Sequence, residues 1–171
     1  MVILRATRKL ETRLSGSGTT PGLSDTALGD WYANRLVVDR QPLLLLVSSV
    51  SLLSVVSLAR DVRGLPARLP GMVGRRLCDM GLAVSVIEAE LAAMDPVHVG
   101  QTTDRSVLGS MVDFAKAIVA YLPHGTWGEP DLPRVEELLA QTPCRVTRRS
   151  EDTLYPDRKT REVLAARWRS A

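Results

Sequence analysis

The chain has 171 residues, of which 45% are hydrophobic and 24% are charged. These values fit one packed domain with an appendage and exclude a chain that is disordered over most of its length. Aromatic residues make up only 4%, so the core must be mainly aliphatic and stacking platforms for nucleic-acid bases are scarce. The two cysteines, Cys78 and Cys144, are too few for a disulfide framework.

The net charge of +3 is unevenly distributed along the chain. Residues 144–171 hold eight Arg or Lys against four acids, whereas the rest is close to neutral. We therefore predict a single domain over residues 1–143 and a basic, partly helical C-terminal extension over residues 144–171. The cations of this extension that could neutralise nucleic-acid phosphates are Arg145, Arg148, Arg149 and Lys159. Because acids are interleaved with them, a nucleic-acid role is the weaker alternative.

The N-terminal stretch combines a short strand with helical turns. Residues 2–6 are predicted to form a strand, and residues 8–14 one or two helical turns. The following SGSGTTPG segment has the composition of a loop, and it lacks the Gly-Lys-Ser/Thr ending of a phosphate-binding loop. The first 14 residues contain only a three-residue apolar run before charges return, unlike a signal peptide, so the cytoplasm is the expected compartment.

Residues 41–59 carry no charge and are long enough to cross a bilayer. Pro42, five interspersed serines and several β-branched valines favour instead two strands joined by a Ser-rich turn. Residues 30–39 before them are predicted to form a strand or a short helix. Together these segments predict an antiparallel meander and no membrane span. The apolar run of residues 43–47, or an uncovered edge strand, could drive a homodimer.

The C-terminal two thirds have mostly helical spacing. Predicted helices cover residues 65–80, 84–94, 105–122, 132–141 and 159–169, with one strand over residues 97–102. In the second of these helices, Glu88 and Glu90 are predicted to face solvent. The predicted fold class is α+β: an antiparallel sheet of four or five strands with helices packed mainly on one face.

The segment QTTDRSVLGSM, residues 101–111, is the densest group of small and hydrogen-bonding residues. Thr103 or Asp104 can cap the helix that begins here, and its free backbone N–H groups favour an anion. The neighbouring Arg105 could bind a carboxylate or phosphate in bidentate geometry.

A purely structural interpretation of the same segment is equally open. In it the helix is simply well capped and packs onto the sheet through Gly109. Arg105 then pairs with Asp30 or Asp39 and is not available to a ligand.

Three segments carry a resemblance to a known family. The DWYAN segment of residues 30–34, the TTDRSVLGSM segment with Asp113 and Phe114, and the opening strand with TRKL are together similar to an uncharacterised bacterial domain family over residues 1–122. Members typically have asparagine where this chain has Asp104 and Val112. The resemblance implies a loose association with mobile-element genes and supplies no activity that could be carried over to this chain.

The positions that match the polar pattern of this family are predicted to meet in one shallow ligand-binding pocket. They are Thr7, Lys9, Trp31, Asn34, Thr102, Arg105, Ser106 and Ser110. If the missing amides contribute to binding in relatives, this chain binds the same ligand weakly or not at all.

Catalytic interpretations are less well supported. A Ser-His-Asp triad through Ser106 or Ser110 has no nucleophile elbow behind it. A metal-dependent nuclease built from Asp30, Asp104 and Asp113 is conceivable, but scattered acids are unspecific. The cysteines and histidines lack a recognised zinc spacing, so no metal or cofactor is predicted.

The leading hypothesis is a non-catalytic binding or regulatory module that recognises an anionic ligand or a partner protein near Arg105. The alternatives are a small hydrolase or nuclease-like enzyme, and nucleic-acid binding through the basic tail. The sequence alone does not choose the ligand or the oligomeric state.

Overall fold

The computed structural model describes residues 1–14, 22–145 and 153–168. Five strands form the main sheet: β1 (Val2–Ala6), β2 (Trp31–Val38), β3 (Gln41–Ser48), β4 (Ser54–Leu58) and β5 (Val97–Gln101). The described helices are α1 (Arg8–Glu11), α2 (Leu65–Asp79), α3 (Val84–Ala93), α4 (Arg105–Tyr121), α5 (Leu132–Gln141) and α6 (Pro156–Arg167). A 3₁₀ turn, Glu129–Asp131, precedes α5, and β6 (Cys144–Arg145) pairs with β7 (Thr153–Leu154) in a separate ribbon.

The main sheet is mixed, with strand order β4-β3-β2-β1-β5. The predicted meander of β2, β3 and β4 is confirmed as antiparallel. The prediction of a wholly antiparallel sheet is wrong, because β1 runs parallel to both of its neighbours, β2 and β5. Long connections bring the chain back to the same end of the sheet before β2 and before β5, and such connections permit parallel pairing.

Helices cover both faces of the sheet, so the prediction that they pack mainly on one face is also wrong. One buried cluster, the first core, packs the sheet against α2, α3 and α6. The other, the second core, packs it against α4 and α5. Along β3, Leu44 and Leu46 enter the first core, whereas Leu43, Leu45 and Val47 enter the second. A strand buried on both sides needs no alternating polar residues, which explains the unbroken apolar run.

The uncharged residues 41–59 form β3, its turn and β4, as the serine and valine content predicted. None of the described helices is long and apolar enough to span a membrane. Leu43 to Val47 are fully buried inside the chain itself, so this run is not exposed for dimerisation.

Helix α6 of the predicted extension packs against α3 and α5. Its Leu164 is fully buried in the first core. The buried Thr160 hydroxyl donates a 2.9 Å hydrogen bond to Ser51 Oγ in the turn between β3 and β4. The domain division after residue 143 stays a prediction, but α6 is joined to the body by these contacts.

The Glu90 carboxylate on α3 is fully buried, so the prediction that it faces solvent is wrong. It accepts hydrogen bonds from the backbone N–H of Ala27 at 2.9 Å and of Leu28 at 3.0 Å. The indole Nε1 of Trp168 donates a third at 2.7 Å. These donors satisfy the carboxylate and connect α3 to the loop before β2 and to the end of α6.

A second fully buried carboxylate, Glu136 on α5, lies beside the edge strand β4. Its Oε1 accepts a 2.7 Å hydrogen bond from the backbone N–H of Val56, and Arg75 on α2 donates to both carboxylate oxygens, at 2.7 and 3.0 Å. The Glu136 hydrogen bonds raise the pKa of Arg75, which stays charged. This pair therefore joins helices from opposite faces of the sheet around its edge.

Candidate functional site

The start of α4 is capped by Asp104, one of the two caps that the sequence predicted. Asp104 Oδ1 accepts hydrogen bonds from the backbone N–H of Ser106 at 2.7 Å and of Val107 at 3.4 Å. Burial acts to raise the pKa of this carboxyl, but the hydrogen bonds outweigh it and the net pKa is lowered. The backbone N–H of Asp104 donates to Tyr32 Oη at 3.1 Å, which fixes the helix start against β2.

Arg105 follows this cap and is exposed. Neither of the predicted acidic partners contacts it, since Asp30 accepts from the guanidinium of Arg5 and Asp39 accepts from the backbone N–H of Gly125. Over residues 1–14, 22–145 and 153–168, the Arg105 side chain forms no ion pair or hydrogen bond. The capping part of the structural interpretation is therefore confirmed, and its Arg105 ion pair is wrong. Its packing of α4 onto the sheet through Gly109 is also wrong, because Gly109 is exposed and a side chain there would meet no neighbouring atom within 4 Å.

The outer side of α4 faces residues 142–145 across a cavity of about 820 Å³, which we call the α4 groove. The described residues that line it include Arg105, Ser106, Gly109, Ser110, Asp113, Lys116, Cys144 and Arg145. Three of these residues are cations, and one, Asp113, is an acid. The Oδ1 atom of Asp113 lies 3.7 Å from Lys116 Nζ. Gly109 opens the wall of the groove, since no atom outside its own helix would contact a side chain at this position.

The Cys144 thiol is one of the groups on the wall of the α4 groove that could act as a nucleophile, beside the hydroxyls of Ser106 and Ser110. Burial raises the pKa of Cys144 to about 11, with a smaller contribution from the negative charge of Asp113. Its Sγ donates to the carbonyl oxygen of Thr142 at 3.4 Å. The thiol is therefore protonated at neutral pH and a poor nucleophile.

We expect a thiol reagent at pH 8 to modify the exposed Cys78 readily and Cys144 very slowly. With a pKa near 11, roughly one thousandth of Cys144 is thiolate at that pH. The measurement is the labelling rate of each cysteine by mass spectrometry, with Cys78→Ser isolating the slow site. At pH values below this pKa of about 11, the thiolate fraction rises about tenfold with each pH unit. The labelling rate of Cys144 should therefore increase about tenfold per pH unit between pH 8 and 10. Equal labelling of both cysteines at pH 8 would contradict this assignment.

A second, smaller cavity of about 60 Å³ is lined by Thr7, Lys9 and Asn34 from the predicted set. Leu10, Arg13 and Arg35 complete its lining, and we call it the basic pocket. It shares no described lining residue with the α4 groove. Six of the eight predicted residues are thus divided between two cavities, three in each, and the predicted set does not meet in one pocket.

Two of the predicted residues line neither cavity. Trp31 is fully buried in the first core, where the described residues offer its Nε1 no hydrogen-bond partner. Its neighbour Tyr32 enters the second core and contacts the start of α4. Successive side chains of a strand point to opposite faces, which is why Trp31 lies away from Arg105. Thr102 follows β5 and is half-buried.

A family model described as a domain of unknown function, DUF6933, matches residues 3–159. The chain belongs to the DUF6933 family. This match confirms the resemblance to an uncharacterised family and extends it beyond residue 122, through α5 and into α6. No curated protein and no solved structure matches the chain.

The predicted nucleic-acid residues of this DUF6933 chain lie in different surroundings. Arg145 lines the α4 groove, and Lys159 Nζ forms a 2.8 Å ion pair with Glu162. Arg148 and Arg149 lie outside the described residues. Nucleic-acid binding through these four cations stays a prediction.

The three acids of the nuclease alternative have separate structural contacts in this DUF6933 chain. Asp30 pairs with Arg5, Asp104 caps α4, and Asp113 lies beside Lys116. No group of three or more His, Cys, Asp or Glu side chains that could hold a metal ion occurs in the part of the chain that the structure describes.

Sequence reasoning did not find Arg13, Arg35 and Lys116 as cavity residues. Each is an exposed cation in a segment that had already been singled out. The signal that could have indicated them was their closeness in sequence to predicted residues. Arg35 directly follows Asn34, and Lys116 lies about two turns after Ser110 on α4.

Proposed function

We propose that this chain is a non-catalytic binding module that recognises an anionic group, on a small ligand or a partner protein, in the α4 groove. The observation that supports this function is the position of Arg105. It is exposed on the lining of a large cavity and has no ion pair among the described residues.

The charged side chains of the α4 groove favour anion binding more than the backbone N–H groups at the start of α4 do. The first N–H groups of α4 that would attract an anion, at Ser106 and Val107, already donate to the Asp104 carboxylate. That negative cap occupies the favourable end of the helix dipole. Anion recognition therefore rests on the side chains of Arg105, Lys116 and Arg145, against which only Asp113 stands among the described lining residues.

The size of the α4 groove supports a ligand larger than a single ion. Its volume of about 820 Å³ lies within the range of about 300–1,000 Å³ that is usual for small-molecule sites. A carboxylate or phosphate at Arg105 would be bound in bidentate geometry, and the remaining length of the groove would accommodate the rest of the ligand or a peptide segment.

A test uses two probes, inorganic pyrophosphate and an N-acetylated hexaglutamate peptide, in ¹H–¹⁵N NMR titrations. We expect at least one probe to shift resonances of residues 105–117 and 142–145 in a saturable manner. The Arg105→Ala variant should bind that probe about tenfold more weakly, because one charge-assisted pair is lost.

The matched control is Arg63→Ala, which removes an exposed arginine that does not line the groove. This variant should bind the probe with unchanged affinity. Binding of both probes without any shift at residues 105–117, or equal affinities of the Arg105 and Arg63 variants, would overturn the proposed function.

We also propose that the module works in the cytoplasm. Cys78 and Cys144 are both free cysteines, and this supports a reducing compartment. The association with mobile-element genes stays a prediction from the resemblance.

A further inference from the structure

We propose that the basic pocket is a second, independent site that binds a single phosphate-type oxyanion. Lys9, Arg13 and Arg35 bring three positive charges to its walls, and none of the described residues that line it is acidic. Within the described ranges, none of the three side chains has an ion pair or a hydrogen bond. Three like charges around one small cavity repel each other, and a bound anion removes this repulsion.

The neutral polar groups of the basic pocket also favour an anion. Asn34 Oδ1 already accepts a 2.9 Å hydrogen bond from the backbone N–H of Arg35, which leaves the amide NH₂ as a donor. Thr7 precedes α1, but its side chain forms no capping hydrogen bond, so its hydroxyl is available to donate. An oxyanion accepts hydrogen bonds and donates few, and it therefore complements both groups.

The acids near the basic pocket in sequence do not neutralise it. Glu11 on α1 is half-buried and does not line the cavity. The segment that follows Leu14, residues 15–21, has the sequence SGSGTTP and contains no charged residue. The positive charge of the site is therefore not balanced by its sequence neighbours.

The size and position of the basic pocket restrict the ligand. A volume of about 60 Å³ has room for a small ion, since a water molecule occupies about 30 Å³ of liquid. The pocket lies at the carboxyl end of β1. The pairing of β1 with β2 ends here, where the backbone N–H of Thr7 donates to the carbonyl oxygen of Ala33, and β2 continues past this point. The carboxyl ends of parallel strands are the edge at which mixed and parallel sheets commonly hold anions.

The experiment measures the affinity of the full chain for inorganic phosphate by ³¹P NMR, and the thermal midpoint at increasing phosphate with ionic strength held constant by NaCl. We expect saturable binding and a midpoint increase of about 3 °C near saturation. Arg35→Ala and Lys9→Ala should each weaken phosphate binding about tenfold. Both side chains are exposed, and circular dichroism would verify that the variants fold.

Two controls separate this site from the α4 groove. Arg63→Ala, which removes an arginine outside both cavities, should bind phosphate as the unsubstituted chain does. Arg105→Ala weakens any phosphate contact in the α4 groove and leaves the lining of the basic pocket intact. Phosphate binding that survives in the Arg105 variant but is lost in the Arg35 variant supports the inference. A ³¹P binding curve that does not saturate, or affinities that are equal in the Arg35, Lys9 and Arg63 variants, would overturn it.

Discussion

Replacing Glu136 with Gln is expected to lower the free energy of unfolding by about 2–3 kcal/mol. The carboxylate is buried and accepts hydrogen bonds from Val56 and from both terminal nitrogens of Arg75. An amide NH₂ in its place must face one of these donors, and the guanidinium loses Glu136 as a charged partner while it keeps Asp79. The effect is smaller than for a fully buried pair because 42% of the Arg75 side chain is exposed and can be hydrated.

Urea unfolding would measure this loss, with Glu137→Gln as the matched control. Glu137 is the next residue of α5, but it is exposed and pairs with Arg134 at the surface, so its replacement should cost less than about 1 kcal/mol. Amide exchange of Val56 should accelerate more in the Glu136 variant than in the Glu137 variant, because the network that holds the acceptor of this edge-strand N–H is weakened. Equal stability of the two variants would show that the buried pair does not stabilise the fold.

Replacing Glu90 with Gln is expected to cost a similar amount, about 2–3 kcal/mol. Oε1 accepts from Leu28, and Oε2 accepts from both Ala27 and Trp168. Since both oxygens are used as acceptors, either orientation of an amide places its NH₂ against at least one donor. Glu88→Gln, on the exposed side of the same helix, should change stability by less than about 0.5 kcal/mol.

A double-mutant cycle with Trp168→Phe isolates the hydrogen bond to α6. The Phe variant keeps an aromatic side chain but removes the N–H donor and part of the indole volume, so we expect it to cost at least about 1 kcal/mol by itself. Its effect should be smaller in the Glu90→Gln background, because the bond is then already impaired. Strict additivity of the two costs would mean that the indole and the carboxylate do not interact in solution.

Local patterns predicted the elements of this fold well and their assembly less well. The β2–β3 hairpin and helices α4 and α5 follow from apolar spacing and from capping residues such as Asp104. The parallel pairing of β1 with β5 has no such local signal, because the two strands are far apart in sequence. The face on which each helix packs also depends on contacts between distant segments, which is why helices were expected mainly on one face.

The buried glutamates show a similar limit. A helical pattern assigns a charged residue to the solvent side unless its partners are known. The partners of Glu90 are backbone N–H groups at Ala27 and Leu28, and one partner of Glu136 is the N–H of Val56. Backbone donors have no signature in the sequence, so neither contact could be predicted.

The candidate site was predicted in part. The helix start at Arg105 lies on a large groove, as its polar residues suggested, and Thr7, Lys9 and Asn34 do lie together. Their division into two cavities depends on the directions of strand side chains and on the order of the strands in the sheet. Trp31 was included because it resembles a family pattern, and its burial shows that such a pattern also contains core residues.

The parallel pairing of β1 with β5 affects how the chain folds. Val2 pairs with Val97, so this pairing closes a loop that contains the whole meander and helices α2 and α3. The entropy of closing such a loop is lost before the contacts form, which slows folding relative to a helical protein of the same length. The meander β2–β4 has only short connections and is expected to form first. Until the helices pack on its two faces, that meander exposes apolar residues, and association between partly folded chains competes with folding at this stage.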